Sequence, residues 1–571
     1  MKNLEIAKIF YEMADILEMQ GVNWKPAAYR KAARSLESLS EELEDIYKAG
    51  ELKDIPGVGE ALAEKIEEYI KTGKIRRYEE LKKTVPKGIT KLMGVQGLGP
   101  KKVKTLYKKL GIRSIKDLER AARQHKISKL PLFKEKSEEN ILKGLELYKG
   151  GEARTLLFYI KPIAERIVDR LNSLKEVDKA IAAGSLRRQR ETVRDIDILV
   201  ISKNPGKVMD FFTAMPDVKR VLAKGPTKST VIIKEGIQVD VRVVKSESFG
   251  SALMYFTGSK DNNIAMRVIS IKRGYKLSEY GLFSKKSGRK VAGRTEEEIY
   301  SKLGMDYIEP ELRESMGEIE VAMQHRLPKL VKLSDIKGDL HIHSKYSDGS
   351  DSIIDLVNHA KKFGYSYINV SDHSKSTHIA HGIKDGDVMK KVDEVRKVNA
   401  KVRGIKVFCG TEVDILADGS IDYDDDILKK FDIVTASVHS NFKMPREKMT
   451  DRLVAALENP YVHILGHPTG RLINKRQPYE FDFEKVLAAA KKNGKFFEIN
   501  CIPDRMDLPP NLIKASVDAG VKFAIGTDAH NLNHFAFINE GVSLARRGWC
   551  RKSDVLNTLD PSQLSKLLGL K

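Results

Sequence analysis

The chain has 571 residues, more than one hydrophobic core usually supports, so several domains are expected. Its 41% hydrophobic content is ordinary for a globular protein; with no apolar run of about 18 residues and no charged-then-apolar leader, neither a membrane span nor a secretory signal is expected. The net charge of +22 leaves two readings: an ion-pair-rich solvated surface, or a polyanionic partner such as nucleic acid. Cys409, Cys501 and Cys550 are widely spaced and form neither a zinc knuckle nor a disulfide framework, which fits a reducing cytosol.

Residues 1 to about 145 read as short amphipathic helices broken by glycine turns. "LEIAKIFYEMADILEMQG" places apolar residues at three- and four-residue spacing and stops at Gly21. A glycine-turn motif then occurs twice, as "LKDIPGVGEALAEKIEEYI" and "LMGVQGLGPKKVKTLY". Gly57 and Gly59 in the first copy, and Gly97 and Gly99 in the second, let the backbone approach a ligand closely and present N–H groups at a helix start. Phosphate oxygens suit such a site, and no base is read there. A plain helical hairpin is the alternative; two copies, the second followed by Lys101, Lys102 and Lys104, favour DNA backbone.

Strands begin further on, in "RDIDILVIS", "STVIIK" and "IQVDVRVV". Asp195 and Asp197 are two apart on a strand and share a face. Carboxylates that close repel unless a cation lies between them, which predicts Mg²⁺. Asp240 on a second strand makes a third ligand, and three carboxylates can hold two ions. Gly184 and Ser185 can hydrogen-bond a triphosphate, with Arg188 neutralising it. Surface carboxylates at the ends of ordinary strands are the alternative.

A polar connector, "GEIEVAMQHRLPKLVKLSDIKG", leads into the last third. There, short apolar strands alternate with helical patterns: "YSYINVSD", "IKVFCGTE", "FDIVTASVH", "VHILGH", "FFEIN" and "KFAIGTDAH". This predicts a parallel β/α barrel. Eleven of the thirteen histidines lie beyond residue 337. His341 and His343 open the domain, and His373, Glu412, His439, His467, Asp528 and His530 end or follow apolar runs. Strand ends meet at one face of a barrel, so these groups should converge on more than one Zn²⁺ or Mn²⁺. His359 lies within a helical pattern and is expected at the surface. His378, His381 and His534 fall in loops.

Six segments carry a resemblance to DNA polymerase beta and the family X DNA polymerases over roughly residues 1–315: "AAYRKAA", "IPGVGEALAEKI", "GSLRR", "RDIDILV", "VDVRVV" and "YFTGS". The resemblance implies that Asp195, Asp197 and Asp240 bind two catalytic Mg²⁺ or Mn²⁺ ions, and that Gly184, Ser185 and Arg188 hold the triphosphate of a deoxynucleotide. By the same likeness Tyr255, Phe256 and Gly258 wall the sugar pocket, Asn263 meets the incoming base edge, Arg267 touches the template side, and Arg242 lies near the primer terminus. Lys260 departs from the pattern, which puts an aspartate there. Lys65 matches a Schiff-base lysine that cleaves deoxyribose phosphate, with Lys25 and Tyr29 as matching neighbours in the grip on a 5′-phosphate. Trp24, Ala61 and Arg77 replace a histidine and two lysines of that site, so Lys65 has fewer cations to activate it; phosphate binding without lyase chemistry is the reading this favours.

Residues 337–571 resemble a polymerase-and-histidinol-phosphatase (PHP) domain. The likeness implies one metal on His341, His343, Glu412 and Asp528, a second on Glu412, His439 and His467, and a third on Asp348, His373 and His530, with Arg505 meeting phosphate. Cys501 reads as a small core residue. The expected organisation is multidomain, α/β and α+β: a lyase-like helical domain (1–80), a fingers-like subdomain (81–148), a nucleotidyltransferase palm (149–248), a nascent-base-pair subdomain (249–316), a linker (317–336) and a distorted (β/α)7-type PHP barrel (337–571). The expected function is gap-filling repair synthesis on gapped or primed double-stranded DNA, with a 3′–5′ exonuclease or phosphoesterase in the barrel. A cytoplasmic, nucleoid-associated monomer is expected. The alternatives are a nucleotidyltransferase with another acceptor, a small-molecule phosphatase barrel, and a DNA-binding scaffold with an inert metal domain.

Overall fold

A computed structural model describes residues 2–570 except 23, 38–42, 56, 87, 94, 96–97, 132, 134–136, 139–140, 143–144 and 146–153. Gly97 therefore lies outside the described residues. The chain divides into two compact units, the first comprising residues 1–154, 174–180 and 194–303 and the second 155–173, 181–193 and 304–571.

The first unit opens with helices Lys2–Gln20 and Lys25–Glu37, which bury Ile6, Phe10, Ala33 and Leu36 in a shared core. The two glycine-turn motifs become matching helices, Glu60–Thr72 and Pro100–Leu110. Gly59 and Gly99 are their extended N-caps (φ −85° and −102°). The repeat also reaches the far ends, where left-handed Gly73 and Gly111 donate their N–H groups to Tyr69 O and Tyr107 O. Gly57 sits at φ +87°, a backbone conformation that strains any other residue, and the Lys31 side chain lies against it.

A five-stranded sheet follows: β1 (Val177–Ala182), β2 (Asp195–Ser202), β3 (Val218–Lys224), β4 (Lys228–Ile233) and β5 (Gln238–Val244), in the order β1-β2-β5-β4-β3. β2 and β5 run parallel, and β5, β4 and β3 are successively antiparallel. On β5, Val239, Val241 and Val243 are buried on one face, while Asp240 and Arg242 share the half-exposed other. Helices Phe249–Thr257 and Lys260–Lys272 precede a small antiparallel sheet of β6 (Tyr275–Ser278), β7 (Gly281–Ser284) and β8 (Lys290–Ala292).

The second unit contains seven parallel strands in chain order: β9 (Gly338–Ile342), β10 (Tyr367–Val370), β11 (Lys406–Asp414), β12 (Ile433–Ser437), β13 (Ile464–Leu465), β14 (Phe496–Asn500) and β15 (Phe523–Gly526). They are almost wholly buried, which explains their continuous apolar runs. His343 N donates to Ala529 O and Asp528 N to His341 O, each at 2.8 Å, so the last strand returns to the first and the barrel nearly closes.

The unit is larger than the expected 337–571. Residues 317–336 are not a free linker: Val331 and Ile336 enter the barrel core, Val331 N donates to Cys550 O at 2.9 Å, and Leu330 forms an antiparallel bridge with Arg551. Two apolar side chains have nowhere drier to go. Residues 155–173 and 181–193, expected in the palm, also belong here. Phe158 packs edge-on against Phe537 with ring centroids 5.1 Å apart. Glu191 is clamped between Arg547 Nη1 (2.5 Å) and Arg471 Nη2 (3.4 Å). Among the described residues, no helix is long and apolar enough to cross a membrane.

Candidate active sites

In the first unit the parallel register places Asp197 opposite Asp240 and Asp195 opposite Gln238. Thr230 and Gln238 donate to the two oxygens of Asp240, the latter at 2.7 Å, and Lys228 Nζ stands 3.3 Å away. Arg194 pairs with Asp195 at 3.1 Å. Burial and the charges of Asp195 and Asp240 push Asp197 up to about 7. Three carboxylates this crowded form a donor set that a divalent cation relieves.

Beside this sheet, in the same unit, Tyr255 and Phe256 are edge-on with centroids 5.0 Å apart. Arg242 lies over Phe256 at 4.5 Å and Arg267 over Tyr255 at 5.4 Å. Asn263 Nδ2 donates to Tyr255 O at 2.7 Å, and Gly258 takes φ 68°, ψ −156°, a region open essentially to glycine. Gly184, Ser185 and Arg188 belong to the second unit, where Gly184 and Ser185 open a one-turn helix. Arg188, expected to face a triphosphate, is 8% exposed and donates to Glu314 at 2.9 Å.

In the N-terminal helices, Lys65 is half-buried and donates to Ala61 O at 2.7 Å. Lys25 is exposed. Tyr29 departs from the expectation of a DNA-facing side chain: it is 7% exposed, edge-on to Phe10 at 5.3 Å, because its helix turns that face into the core.

The strand ends of the barrel bring all nine expected residues together. Glu412 is central. Its Oε1 lies 2.9 Å from His467 Nε2 and 3.3 Å from His439 Nε2; its Oε2 lies 3.0 Å from His373 Nδ1, 3.5 Å from His341 Nε2 and 3.6 Å from His343 Nε2. Asp528 Oδ1 is 3.1 Å from His343 Nε2, and Asp348 Oδ2 is 3.3 Å from His530 Nε2. Three groups could each hold an ion: His341, His343 and Asp528; His373, Glu412 and His439; and His343, Asp348, His373 and His530. The partition differs from the expected one in that His343 and His373 each serve two groups, while His467 meets the cluster through Glu412.

Burial alone would raise Glu412 and Asp528, but His439 and His341 hold the first, and His341 and His343 the second, well below the carboxylate range. Against their burial, Glu412 and Asp414 lift His439 to about 10, and Asp348 and Asp528 lift His530 to about 9. His343 moves down to about 4 under burial and the neighbouring His373. Its Nδ1, like that of His467, is a buried polar atom without a hydrogen-bond partner. Imidazoles and carboxylates packed this way, with orphaned ring nitrogens, fit transition-metal ions. Asp528 (φ 53°) and His467 (φ 25°) hold left-handed backbone at the site.

The residues behind the ligands were not singled out from the sequence. Glu498 accepts from His341 Nδ1 and from His467 N, each at 2.6 Å. Asp414 accepts from His439 Nδ1 at 2.5 Å and from Thr377 at 2.9 Å. Asp372 pairs with the fully buried Lys391 at 2.8 Å. The available signal was a carboxylate inside an apolar strand run, as in "FFEIN", or within two residues of a ligand, as Asp372 and Asp414 are. Arg505 Nε lies 3.8 Å from Asp528 Oδ2, at the mouth expected for it. His359, expected at the surface, is half-buried between Phe363 and Phe535; His378 and His381 are exposed, and His534 stacks on Phe537 at 4.6 Å. Cys501 is fully buried.

Known families match along the chain: a helix-hairpin-helix domain over residues 1–75, a SAM-like helix-hairpin-helix tandem over 89–146, the DNA polymerase beta thumb over 252–314, and the PHP domain over 339–502. The chain is 38% identical over 560 residues to the DNA polymerase/3′-5′ exonuclease PolX of Bacillus subtilis (strain 168), covering 98% of this chain and 97% of that one. A probable phosphatase of Thermoanaerobacter sp. (strain X514) is 34% identical over 232 residues, 38% of this chain and 89% of its own. DNA polymerase lambda of Rattus norvegicus is 26% identical over 342 residues, 55% of this chain and 56% of its own.

Proposed function

The chain belongs to the family X DNA polymerases that carry a C-terminal PHP domain, and from that premise we propose that it fills short gaps in DNA during repair. It is a DNA-directed DNA polymerase and a 3′–5′ exonuclease, and both activities depend on metal. The observation that carries the proposal is the coexistence in one chain of a strand-register aspartate trio and a cluster of eight histidines and carboxylates that His467 joins through Glu412. The PHP family match falls on the barrel, over 339–502, and two relatives that match 38% of the chain are probable phosphatases, so phosphoester hydrolysis is the barrel's share.

In this reading Asp195, Asp197 and Asp240 hold two Mg²⁺ or Mn²⁺ ions. When bound, such ions help deprotonate the primer 3′-hydroxyl and offset charge on the leaving pyrophosphate. Thr230 and Gln238 fix the Asp240 carboxylate, so its orientation costs little on substrate binding. Gly184, Ser185 and Arg188 hold the triphosphate of the deoxynucleotide, and Arg188 is kept in place by Glu314. Tyr255, Phe256, Gly258 and Asn263 bound the nucleotide; Arg242 and Arg267 serve primer and template.

The barrel ligands hold up to three Mn²⁺ or Zn²⁺ ions, which when bound supply a water nucleophile active at neutral pH and Lewis-acid stabilisation of the phosphoester. Glu498 and Asp414 fix the Nδ1 of His341 and His439, leaving Nε2 of each for the ion. Arg505 receives the scissile phosphate. Gly57, Gly59, Gly97, Gly99 and Lys25 hold the DNA backbone without reading sequence, and Lys65 contributes charge there rather than Schiff-base chemistry. The enzyme works as a cytoplasmic, nucleoid-associated monomer.

Extension of a labelled primer across a one-nucleotide gap tests the proposal. Template-directed addition is expected in Mg²⁺ or Mn²⁺; transfer to an RNA or protein acceptor with no DNA extension overturns it.

A further inference from the structure

The connector that docks on the barrel builds a cavity of about 920 Å³ at the end of the strands remote from the metal cluster. Lys337 lines it and precedes β9, whereas His341 and His343 lie toward and just past the other end of that strand, roughly 13 and 20 Å away by strand rise. Two turns of one pattern, a cation, any residue, serine and aspartate, face each other across it. "KLSD" (332–335) and "RKSD" (551–554) are each a short 3₁₀ turn in which the aspartate accepts the backbone N–H of the leading cation, at 3.0 Å for Asp335 and 2.7 Å for Asp554. The antiparallel bridge between Leu330 and Arg551, and the bond from Val331 N to Cys550 O, hold the turns opposed.

The turns fold their carboxylates back onto their own backbone and leave cations and hydroxyls on the wall. Lys329, Lys332, Lys337, Arg551 and Lys552 line the cavity against one carboxylate, Asp335, which already pairs with Lys552 at 3.2 Å. This excess is local, because residues 337–571 carry 35 Lys+Arg against 31 Asp+Glu. Ser334 and Ser553 add a hydroxyl from each turn. The volume is that of a nucleotide-sized ligand rather than of one ion. Closely spaced cations around a concavity repel one another, and a polyanion removes that cost.

We propose that this cavity is a binding site for a ligand bearing consecutive phosphates, distinct from both active sites. The chemistry fits the backbone of a single DNA strand and equally a free polyphosphate such as a nucleoside triphosphate, and the test separates them. Cys409, Cys501 and Cys550 are buried, so in a Ser553→Cys variant of the full chain the introduced thiol alone takes up an azidophenacyl crosslinker or a bimane dye. The experiment is run in chelator, so that neither active site turns over. A radiolabelled oligothymidylate of about 16 nucleotides is the DNA probe, and tripolyphosphate is the free one.

Photo-crosslinking to the oligothymidylate, reduced about tenfold by K332Q/K337Q/R551Q but not by the charge-matched K361Q/K362Q/K401Q, assigns the site to a DNA strand. A bimane response to tripolyphosphate that the first triple variant alone abolishes, without crosslinking to DNA, assigns it to free polyphosphate. No crosslink and no dye response, or equal signals in the two triple variants, overturns the proposal. Primer extension within about twofold of wild type in both variants shows that they fold and keep the polymerase grip on DNA.

Discussion

His341 and Glu498, 157 residues apart in the chain, meet through a 2.6 Å hydrogen bond between Nδ1 and Oε1 inside the barrel. The other oxygen of Glu498 accepts the backbone N–H of His467, also at 2.6 Å. One buried carboxylate thus orients a metal-binding ring and pins the loop of another.

Substituting that carboxylate should therefore weaken metal retention without removing a ligand. For Glu498→Gln we expect the Mn²⁺ concentration giving half-maximal exonuclease activity to rise about 10- to 100-fold, with primer extension unchanged. Titrating Mn²⁺ against both activities checks this; an unchanged Mn²⁺ requirement would sink the orienting role.

Glu191 gives a pH-dependent stability term. Arg547 and Arg471 hold it at about 2 despite its burial, below its ordinary 4.5. A depressed carboxylate stabilises the fold above the unfolded value, and the contribution is lost as pH falls from about 4.5 through 2. Glu191→Gln should cost about 3 kcal/mol at pH 7, since the buried Arg547 guanidinium loses its charged partner. The deficit should shrink as the pH drops below 4.5. Urea unfolding of both proteins at pH 7 and pH 4 measures it, and a deficit that grows on acidification contradicts the assignment.

The docked connector bears on where the nuclease can be cut free. A fragment starting at residue 304 keeps Val331 and Ile336 in the barrel core, whereas one starting at 337 loses both. Each buried side chain contributes about 1.5–3 kcal/mol, so the shorter fragment should melt at lower temperature. Both should hydrolyse a generic phosphodiester in Mn²⁺, because the nine ligands lie beyond residue 337. Equal melting temperatures would show that the connector adds nothing to the barrel.

The paired glycine turns predict a preference for gaps bearing a 5′-phosphate. Insertion should be faster on a phosphorylated than on an unphosphorylated one-nucleotide gap, and binding should weaken linearly in log salt as counterions are released. Equal rates on the two substrates count against a phosphate grip at Gly57 and Gly59.

The strands of the barrel were legible because each is a short apolar run ended by a histidine or carboxylate, and the parallel order converts those ends into one cluster. The Asp195, Asp197 and Asp240 trio was legible from strand alternation and a two-residue spacing. Glu498 was not, because "FFEIN" reads as a core strand and only the fold brings it to His341. Nor was the docking of residues 317–336: "LPKLVKLSDIKG" looks like a polar connector until Val331 and Ile336 find the core. Tyr29 illustrates the converse, since a position matched to a DNA-facing neighbour lies on the inward face of its helix.

Two independent metal centres in one chain are proposed to carry opposite chemistries on DNA. A gapped duplex with a 5′-labelled primer, incubated with and without deoxynucleotides, reads extension and degradation on the same strand. Asp240→Asn should abolish extension and leave 3′ degradation within about twofold of wild type, and Asp528→Asn should do the reverse. Loss of both activities in either variant, with the variant still folded, would contradict the existence of two separate sites.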